Sequence, residues 1–465
     1  MPELVILSTD ALIFLLVILA SGFTRYASKR EHLRAPWREV ARSKVGMGAL
    51  LVLSCFITIG LLDSIHFRPE ANGNAKESAE VLSLFDKLVT PLRMYQEKTY
   101  SAPLAAYQYT KENTELANGT TRRDYPRLEY GGSHLQNVEQ KWGSDIVSKS
   151  LLGMSKGLLF WLLSALLFMF WRSQRHRATI GNTLNEIWAF QTEIPWRTLL
   201  ITAGVICLLG FWAAELSTYY HLLGTDKVGE DVFYQALKSI RTGLLIGTLT
   251  TLVMLPAAIL LGIMAGYFRG WVDDLIQYAY TTLNSIPGVL LIAAAILMMQ
   301  IYMSNHEEQF ASLTQRADLR LLFLCMILGV TSWTGLCRML RGETFKMREM
   351  EYVQAAQAFG VGNFTIIGRH ILPNVLHIVL ITLVLDFSGL VLAEAVLSYV
   401  NIGVDPTMNS WGNMINSARL EMAREPIVWW SLAAALIFMF TLVLSANLFS
   451  DVVRDAFDPR LRSSR

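Results

Sequence analysis
The chain alternates between long uncharged apolar stretches and short charged connections, and this pattern predicts most of its elements. Uncharged stretches run over 11–24, 45–62, 157–171, 198–214, 242–268, 275–305, 321–337, 371–385 with a continuation, and 427–450. A helix needs about 20 apolar residues to cross roughly 30 Å of hydrocarbon, so the pattern predicts nine membrane-spanning helices. The first and third stretches are short for that task; Lys156 and Arg172 lengthen the third by snorkelling toward the headgroups. Pro256 and Pro287 fall inside expected spans, where a kink compensated by packing is the usual result and a gating hinge the alternative.

Charge sets the orientation. Arg25, Lys29, Arg30, Arg34, Arg38, Arg42 and Lys44 crowd the first connection, which places it in the cytoplasm by the positive-inside rule and the amino end outside. Alternation then puts 172–197 inside, the loop around His221 outside, 338–370 inside, 399–426 outside and the carboxyl tail inside. Met-Pro-Glu followed by Asp10 lacks the positive n-region of a cleaved signal peptide, so the first stretch is expected to stay as a span.

Residues 65–155 break the pattern as a long polar stretch, expected outside the membrane. Gly73–Asn74, Asn118–Thr120 and Gly131–Gly132 signal turns, and 79–95 carries a helical apolar pattern through Val81, Leu84, Leu88 and Val89. A small helical domain and a partly ordered loop both fit. The Asn-Gly-Thr triplet also fits a glycosylation sequon, but as a turn it needs no modification.

Composition agrees with a membrane protein: 53% of residues are hydrophobic and 17% charged, against about 25% charged in a soluble domain. A net charge of +2, with no Arg and Lys stripe interleaved with aromatics, argues against nucleic acid as a partner. Membrane lipid is the partner the apolar runs require. Cys55, Cys207, Cys325 and Cys337 lie in apolar runs without a CxxC pair and read as small buried hydrophobes. There is no GxxxxGK[ST], so the chain does not cradle nucleotide phosphates by a P-loop. HEE at 306–308 lacks the second His of HExxH, no GxSxG occurs, and no metal, cofactor or catalytic site is expected.

The most informative segment is EYVQAAQAFGVGNFTIIGRHILPN at 351–374. Tyr352, Ala355, Ala356 and Phe359 fall on one face of a short helix, Gly360 stands where a C-cap reverses the chain, and 364–370 forms a second short helix before Pro373 opens a new one. On spacing alone this is equally an ordinary amphipathic hairpin. The segment resembles the EAA loop of ABC importer permeases: an EAA triplet, Gly four residues on, and an IxLP ending, filled here by Gln354, Ala355, Ala356, Gly360, Leu372 and Pro373. Gln354 replaces the acidic residue and His370 the Ile, while RHILPN at 369–374 is similar to the dipeptide and oligopeptide branch. HLLGTDKVGEDV at 221–232 resembles that branch's external loop through Gly224, Thr225, Asp226, Gly229 and Asp231, although Glu230 stands where the family has Arg. GYFRGWVD at 266–273, SWGN at 410–413 and RDAFDPRL at 454–461 follow in family order.

The resemblance implies an all-α polytopic permease of the type I ABC importer class, a C-type subunit of a dipeptide, oligopeptide or nickel system. It implies passage without chemistry, a second homologous permease, two cytoplasmic ATPases that supply the energy and a periplasmic solute-binding protein. Glu351, Gln354, Ala355, Ala356, Gly360, Arg369 and Pro373 would carry coupling to the ATPases. The expected division is a first span with its basic loop at 1–44, a span at 45–64, the insert at 65–155, two additional spans at 156–215, and the permease core at 216–465 with the coupling loop at 345–374. Nickel or another small solute, and a non-transporting sensor or scaffold, stay open as alternatives.

Two acidic residues lie in or near a span, where a charge costs about 2.5–3.5 kcal/mol on insertion scales. Asp386 either lines a water-filled path and attracts a cationic group such as a peptide amino terminus, or pairs with a basic residue of another subunit. Glu394, nearer the outer surface and ahead of SYVNIG at 398–403, is with Asp386 a candidate for the translocation path, and a structural role is its favoured alternative because a charge near the interface is cheaper.

Overall fold
The computed structural model describes residues 3–29, 31–68, 81–115, 121–177, 179–189, 192–306 and 313–457. The turn at Gly73, the Asn118 triplet, Glu307, Glu308 and the end of the 454–461 motif lie outside them. In chain order, β1 (Glu3–Val5) leads into α1 (Ser8–Ser28), α2 (Glu31–Arg42) and α3 (Lys44–Asp63). β2 (His66–Arg68), β3 (Leu82–Ser83), α4 (Leu84–Leu88), α5 (Thr90–Met94), β4 (Glu112–Glu115) and β5 (Thr121–Asp124) occupy the polar insert. There follow α6 (Val138–His176), α7 (Ile180–Trp188), α8 (Trp196–Ser217), α9 (Val232–Phe268), α10 (Trp271–Ser285), α11 (Gly288–Asn305) and α12 (Leu313–Arg348). The last part holds α13 (Glu351–Ala358), α14 (Asn363–Ile366), a π-helical turn (Ile367–Ile371), α15 (Leu372–Tyr399), α16 (Trp411–Glu421) and α17 (Trp430–Phe457).

Among the described residues, nine helices are long and apolar enough to cross a membrane, the first being Ser8–Tyr26. This is a polytopic, all-α membrane protein with a few short strands. Two expectations are corrected. The stretch 275–305 is not one helix: α10 ends at Ser285 and α11 starts at Gly288. Proline pushes its preceding residue to extended backbone, and Ile286 lies at φ −93°, ψ 128°, so Pro287 breaks the run instead of kinking it, whereas Pro256 stays inside α9. The helical pattern proposed for 79–95 is also interrupted, because Val89 separates α4 from α5 where Pro91 opens the second turn.

The chain divides into two compact units. The first comprises Met1–Val5, Trp37–Thr242 and Asn409–Phe449. Here β1, β2 and β3 form an antiparallel sheet in that order, which brings the strand before α1 beside the residue run that follows α3. Helices α6 and α8 pack closely because glycines remove the side chain at the contact: a Cβ on Gly157 would lie 2.9 Å from the Cys207 carbonyl oxygen. Trp161 Nε1 donates to Leu200 O (2.8 Å) across the same seam. Lys238 of α9 bonds both Asp63 (2.7 Å) and Asp86 (2.9 Å), tying the end of α3 to α4.

The second unit comprises Ile6–Pro36, Gly243–Met408 and Ser450–Arg465. Its core gathers Met254, Ile263 and Tyr267 of α9, Trp333, Leu336 and Leu340 of α12, and Ile371, Val375 and Val379. Apolar attraction between helices is absent in lipid, so close backbone approach supplies the packing energy. A Cβ on Gly266 would lie 2.6 Å from Thr344 Cβ and 2.7 Å from the Arg341 carbonyl oxygen. Gly266→Leu is therefore expected to cost about 1–3 kcal/mol or more. Thermal unfolding of the detergent-purified variant should show the loss, while Gly335→Leu, at a position with nothing within 4 Å, should not; equal midpoints for the two would remove the argument.

Candidate coupling site
Helix α12 has 36 residues, about 54 Å at 1.5 Å per residue, so it outruns the roughly 30 Å of hydrocarbon. Its surplus is the Arg-rich end that delivers the chain to α13. Met350 takes the extended N-cap conformation, and Glu351 lies in the first turn of α13, favourable at the positive end of a helix. The helix ends in a Schellman turn. Gly360 has φ +75°, its N–H donates to Gln357 O (2.9 Å), and the Val361 N–H reaches back to Ala356 O (3.1 Å).

Of the face formed by Tyr352, Ala355, Ala356 and Phe359, only Ala356 turns inward. Val353 and Ala356 are buried in the core of their unit, whereas Tyr352, Gln354 and Ala355 are exposed. Phe359 is 88% exposed and Phe364, beyond the Gly360 turn, 83%. Ile366 and Ile371 are fully buried, so the segment is pinned at Val353, Ala356, Ile366 and Ile371 and presents two bare phenyl rings between the pins. The π turn fits its sequence: Leu372 N–H bonds Ile367 O, five residues back, and Pro373 then contributes no N–H. Arg369 and Pro373 are exposed.

Residues that the sequence reading used only as a resemblance anchor this loop. Tyr267 of GYFRGWVD donates its hydroxyl to Asn363 Oδ1 (2.9 Å) and lies 3.4 Å from Gln357 Nε2. Arg269 pairs with Glu349. Asp273 receives a two-pronged bond from Arg341 of α12, Nε to Oδ1 at 2.6 Å and Nη2 to Oδ2 at 2.7 Å; that guanidinium holds the Asp273 carboxyl below the usual carboxylate range. No local period marks these residues, because their partners lie 68 to 96 positions away.

The 221–232 loop, in the first unit, is a buried polar clasp. His221 sits between Asp231 (2.7 Å from Nδ1) and Glu97 (3.3 Å from Nε2). Glu97 also accepts from the backbone N–H groups of Glu129 (2.9 Å), Tyr130 (2.9 Å) and Gly131 (3.1 Å). Burial works against the imidazolium, but Asp231 and Glu97 outweigh it and push His221 up to about 9. Burial would likewise raise Glu97, yet His221 and the three N–H donors hold it at about 2. Thr225 accepts at Oγ1 from Ser101 N (2.7 Å) and donates to Thr99 O (2.9 Å), while its carbonyl receives Trp430 Nε1 (2.9 Å). Asp226 closes the turn by accepting from Val228 N and Glu230 N. Gly224 (φ +72°) and Gly229 (φ +79°) hold positions no side chain fits: a Cβ on Gly229 would lie 1.8 Å from the Glu97 carbonyl oxygen. Trp411 of SWGN is buried in the same unit and donates to Ala236 O (3.1 Å).

In the second unit Asp386 is half-buried on α15 and makes no hydrogen bond or ion pair among the described residues. Glu394 is 2% exposed and accepts from Ser398 Oγ (2.7 Å). Ser398 Oγ in turn accepts from Val404 N (3.3 Å), so Glu394 supports the turn that ends α15.

Residues 258–463 match the family model described as binding-protein-dependent transport system inner membrane component. The chain is 29% identical to the glutathione transport system permease protein GsiD of Pectobacterium atrosepticum, over 63% of this chain and 100% of that protein. It is 32% identical to the oligopeptide transport system permease protein OppC of Mycobacterium bovis, over 53% of this chain and 78% of the relative. Identity to the dipeptide transport system permease protein DppC of Bacillus subtilis is 27%, over 52% and 69%. The span count, the pinned loop after α12 and these matches converge: the chain belongs to the peptide-permease family of inner-membrane components of binding-protein-dependent transport systems.

Proposed function
We propose that the chain forms half of the translocation path of an ATP-driven importer of di- or oligopeptides. A second homologous permease supplies the other half, two cytoplasmic ATPases drive it, and a periplasmic binding protein delivers the solute. The observation that carries this reading is the pinned loop between α12 and α15. A lever must be rigid toward its own helices and sticky toward its driver; buried Val353, Ala356, Ile366 and Ile371 supply the first property and exposed Phe359 and Phe364 the second. Glu351, Gln354, Ala355 and Arg369 are exposed on the same segment, and Gly360 and Pro373 shape its backbone. The relatives matched here are named for oligopeptides, dipeptides and glutathione, which supports a small peptide as the solute.

In this reading Asp386 faces the path and attracts the amino terminus of the peptide, while Glu394 stays structural. A hydrogen bond to a charged group contributes about 1.5–3 kcal/mol, roughly a 10- to 150-fold effect. Uptake of labelled dipeptides by cells carrying Asp386→Asn should fall in that range for peptides with a free amino group and change little for N-acetylated analogues, with normal amounts of the chain in the membrane. Equal loss for both substrates would assign Asp386 to subunit pairing instead. Absence of peptide uptake in cells with the unaltered chain and its neighbouring transport components would turn the reading toward another small solute.

A further inference from the structure
The loop between α6 and α8 carries a cluster that transport does not use. The apolar runs of α3, α6 and α8 stop at one level: Gly48 of α3 lies against Thr198 and Thr202 of α8, with 3.6 Å from its would-be Cβ to Thr202. Arg42, just before α3, meets Glu193, just before α8, at 3.2 Å. At this level three guanidinium groups lie over three indoles. Arg172 stands 5.7 Å from the ring centre of Trp196, Arg175 5.2 Å from Trp171, and Arg197 4.9 Å from Trp188.

Two of these cations are uncommitted in charge. Arg172 and Arg175 make no hydrogen bond or ion pair among the described residues, and the Nε of Arg172 is buried without a partner. They are three positions apart on α6 and so share a face. Glu193, one of the two acidic residues between Trp171 and Arg197, is occupied by Arg42. The neighbouring surface is apolar: Leu167 and Phe170 on α6, and Leu184 and Trp188, one turn apart on α7, are exposed. Helix α7 buries Thr183 and Ile187 instead, the habit of a short helix lying in the headgroup layer.

We infer that Arg172, Arg175 and Arg197, backed by Trp171, Trp188 and Trp196, form a binding site for the phosphate of an anionic phospholipid whose acyl chains lie along α6. Stacking on an indole leaves the edges of the Arg172 and Arg175 guanidinium groups open, and that edge is the one that grips a phosphate in two-pronged fashion, while Arg197, whose Nη1 donates to Trp188 O (3.4 Å), adds its positive charge. A zwitterionic lipid brings a compensating cation, and a free phosphate brings no apolar body, so neither fills both halves of the site.

The test is lipid retention by the full chain purified in mild detergent. Phosphatidylglycerol, phosphatidylcholine and inorganic phosphate are added separately, with bound lipid read by mass spectrometry and stability by thermal unfolding. Phosphatidylglycerol is expected to be retained over phosphatidylcholine, with preference falling roughly fivefold for each guanidinium removed, as in Arg175→Gln and the triple Arg172→Gln, Arg175→Gln, Arg197→Gln variant. The exposed Arg175→Gln variant keeps the test readable should the triple variant not fold. Equal retention of the two lipids by the unaltered chain, or an unchanged preference in Arg175→Gln, would overturn the site; so would stabilisation by inorganic phosphate equal to that by the lipid.

Discussion
Cells carrying Phe359→Ala together with Phe364→Ala should insert the protein normally and import nothing. Both rings are almost wholly exposed on a loop held to its unit by buried Val353, Ala356, Ile366 and Ile371, so truncating them leaves the fold of their unit intact. If they fill pockets in an ATPase, each behaves as an interface anchor contributing about 2 kcal/mol or more, and the pair lowers affinity roughly a thousandfold. Copurification of the ATPases with the chain should disappear in parallel with uptake. Phe323→Ala, on a partly exposed position of α12, serves as the comparison. ATPases that still copurify with the double variant would place coupling elsewhere. Ala356→Trp is a different experiment, because Ala356 faces its own core and a bulky side chain there damages the folded unit first.

Glu97→Ala should unfasten the insert from the 221–232 loop. Removing one partner of a buried charged pair costs about 3–5 kcal/mol, and here it also strands three backbone N–H groups and the imidazolium of His221. Glu97→Gln, which keeps an acceptor, should lose less. The pH dependence follows in sign. His221 rises from 6.5 to about 9 on folding, so its contribution is complete below pH 6.5 and is lost as pH climbs through about 9, on the order of 3 kcal/mol in all. Glu97 falls from 4.5 to about 2, so its contribution is complete above pH 4.5 and is lost as pH drops toward 2. Hydrogen exchange of residues 95–115 and 121–132 should be slowest between pH 4.5 and 6.5, after correction for intrinsic rates, and should quicken toward pH 9. Protection that stays level across that alkaline range would mean the clasp does not hold the insert.

How much was legible depended on how far each signal travels along the chain. The nine spans could be read because crossing lipid is a local requirement on about 20 consecutive residues. The Gly360 turn could be read because a positive φ after a short helix is a local need that glycine meets. The buried face of α13 could not. Positions 352, 355, 356 and 359 and the true inward pair 353 and 356 differ by one step of the same period, and only Tyr267, Trp333 and their neighbours in the core decide between them. Aromatic side chains at 352 and 359 give the outer face an apolar stripe as marked as an inner one, since exposed phenylalanine is unfavourable unless something covers it. The break at Pro287 was hidden by apolar residues on both sides, which satisfy a membrane criterion whether or not the helix is continuous. Asp273 and Arg341, or His221 and Glu97, find each other only in three dimensions.

Thr9 sets an order of events for making the protein. Its backbone N–H and its hydroxyl both bond to Asp318, and α1 packs on α12, so α1 docks on a helix whose bonding residue is made 309 positions later. While the five apolar runs between them are threaded into the bilayer, α1 waits in lipid with its polar end unsatisfied. A chain that stops before α12 therefore leaves α1 without the carboxylate that accepts from Thr9 and without the helix it packs on, so assembly of this unit waits for its later half.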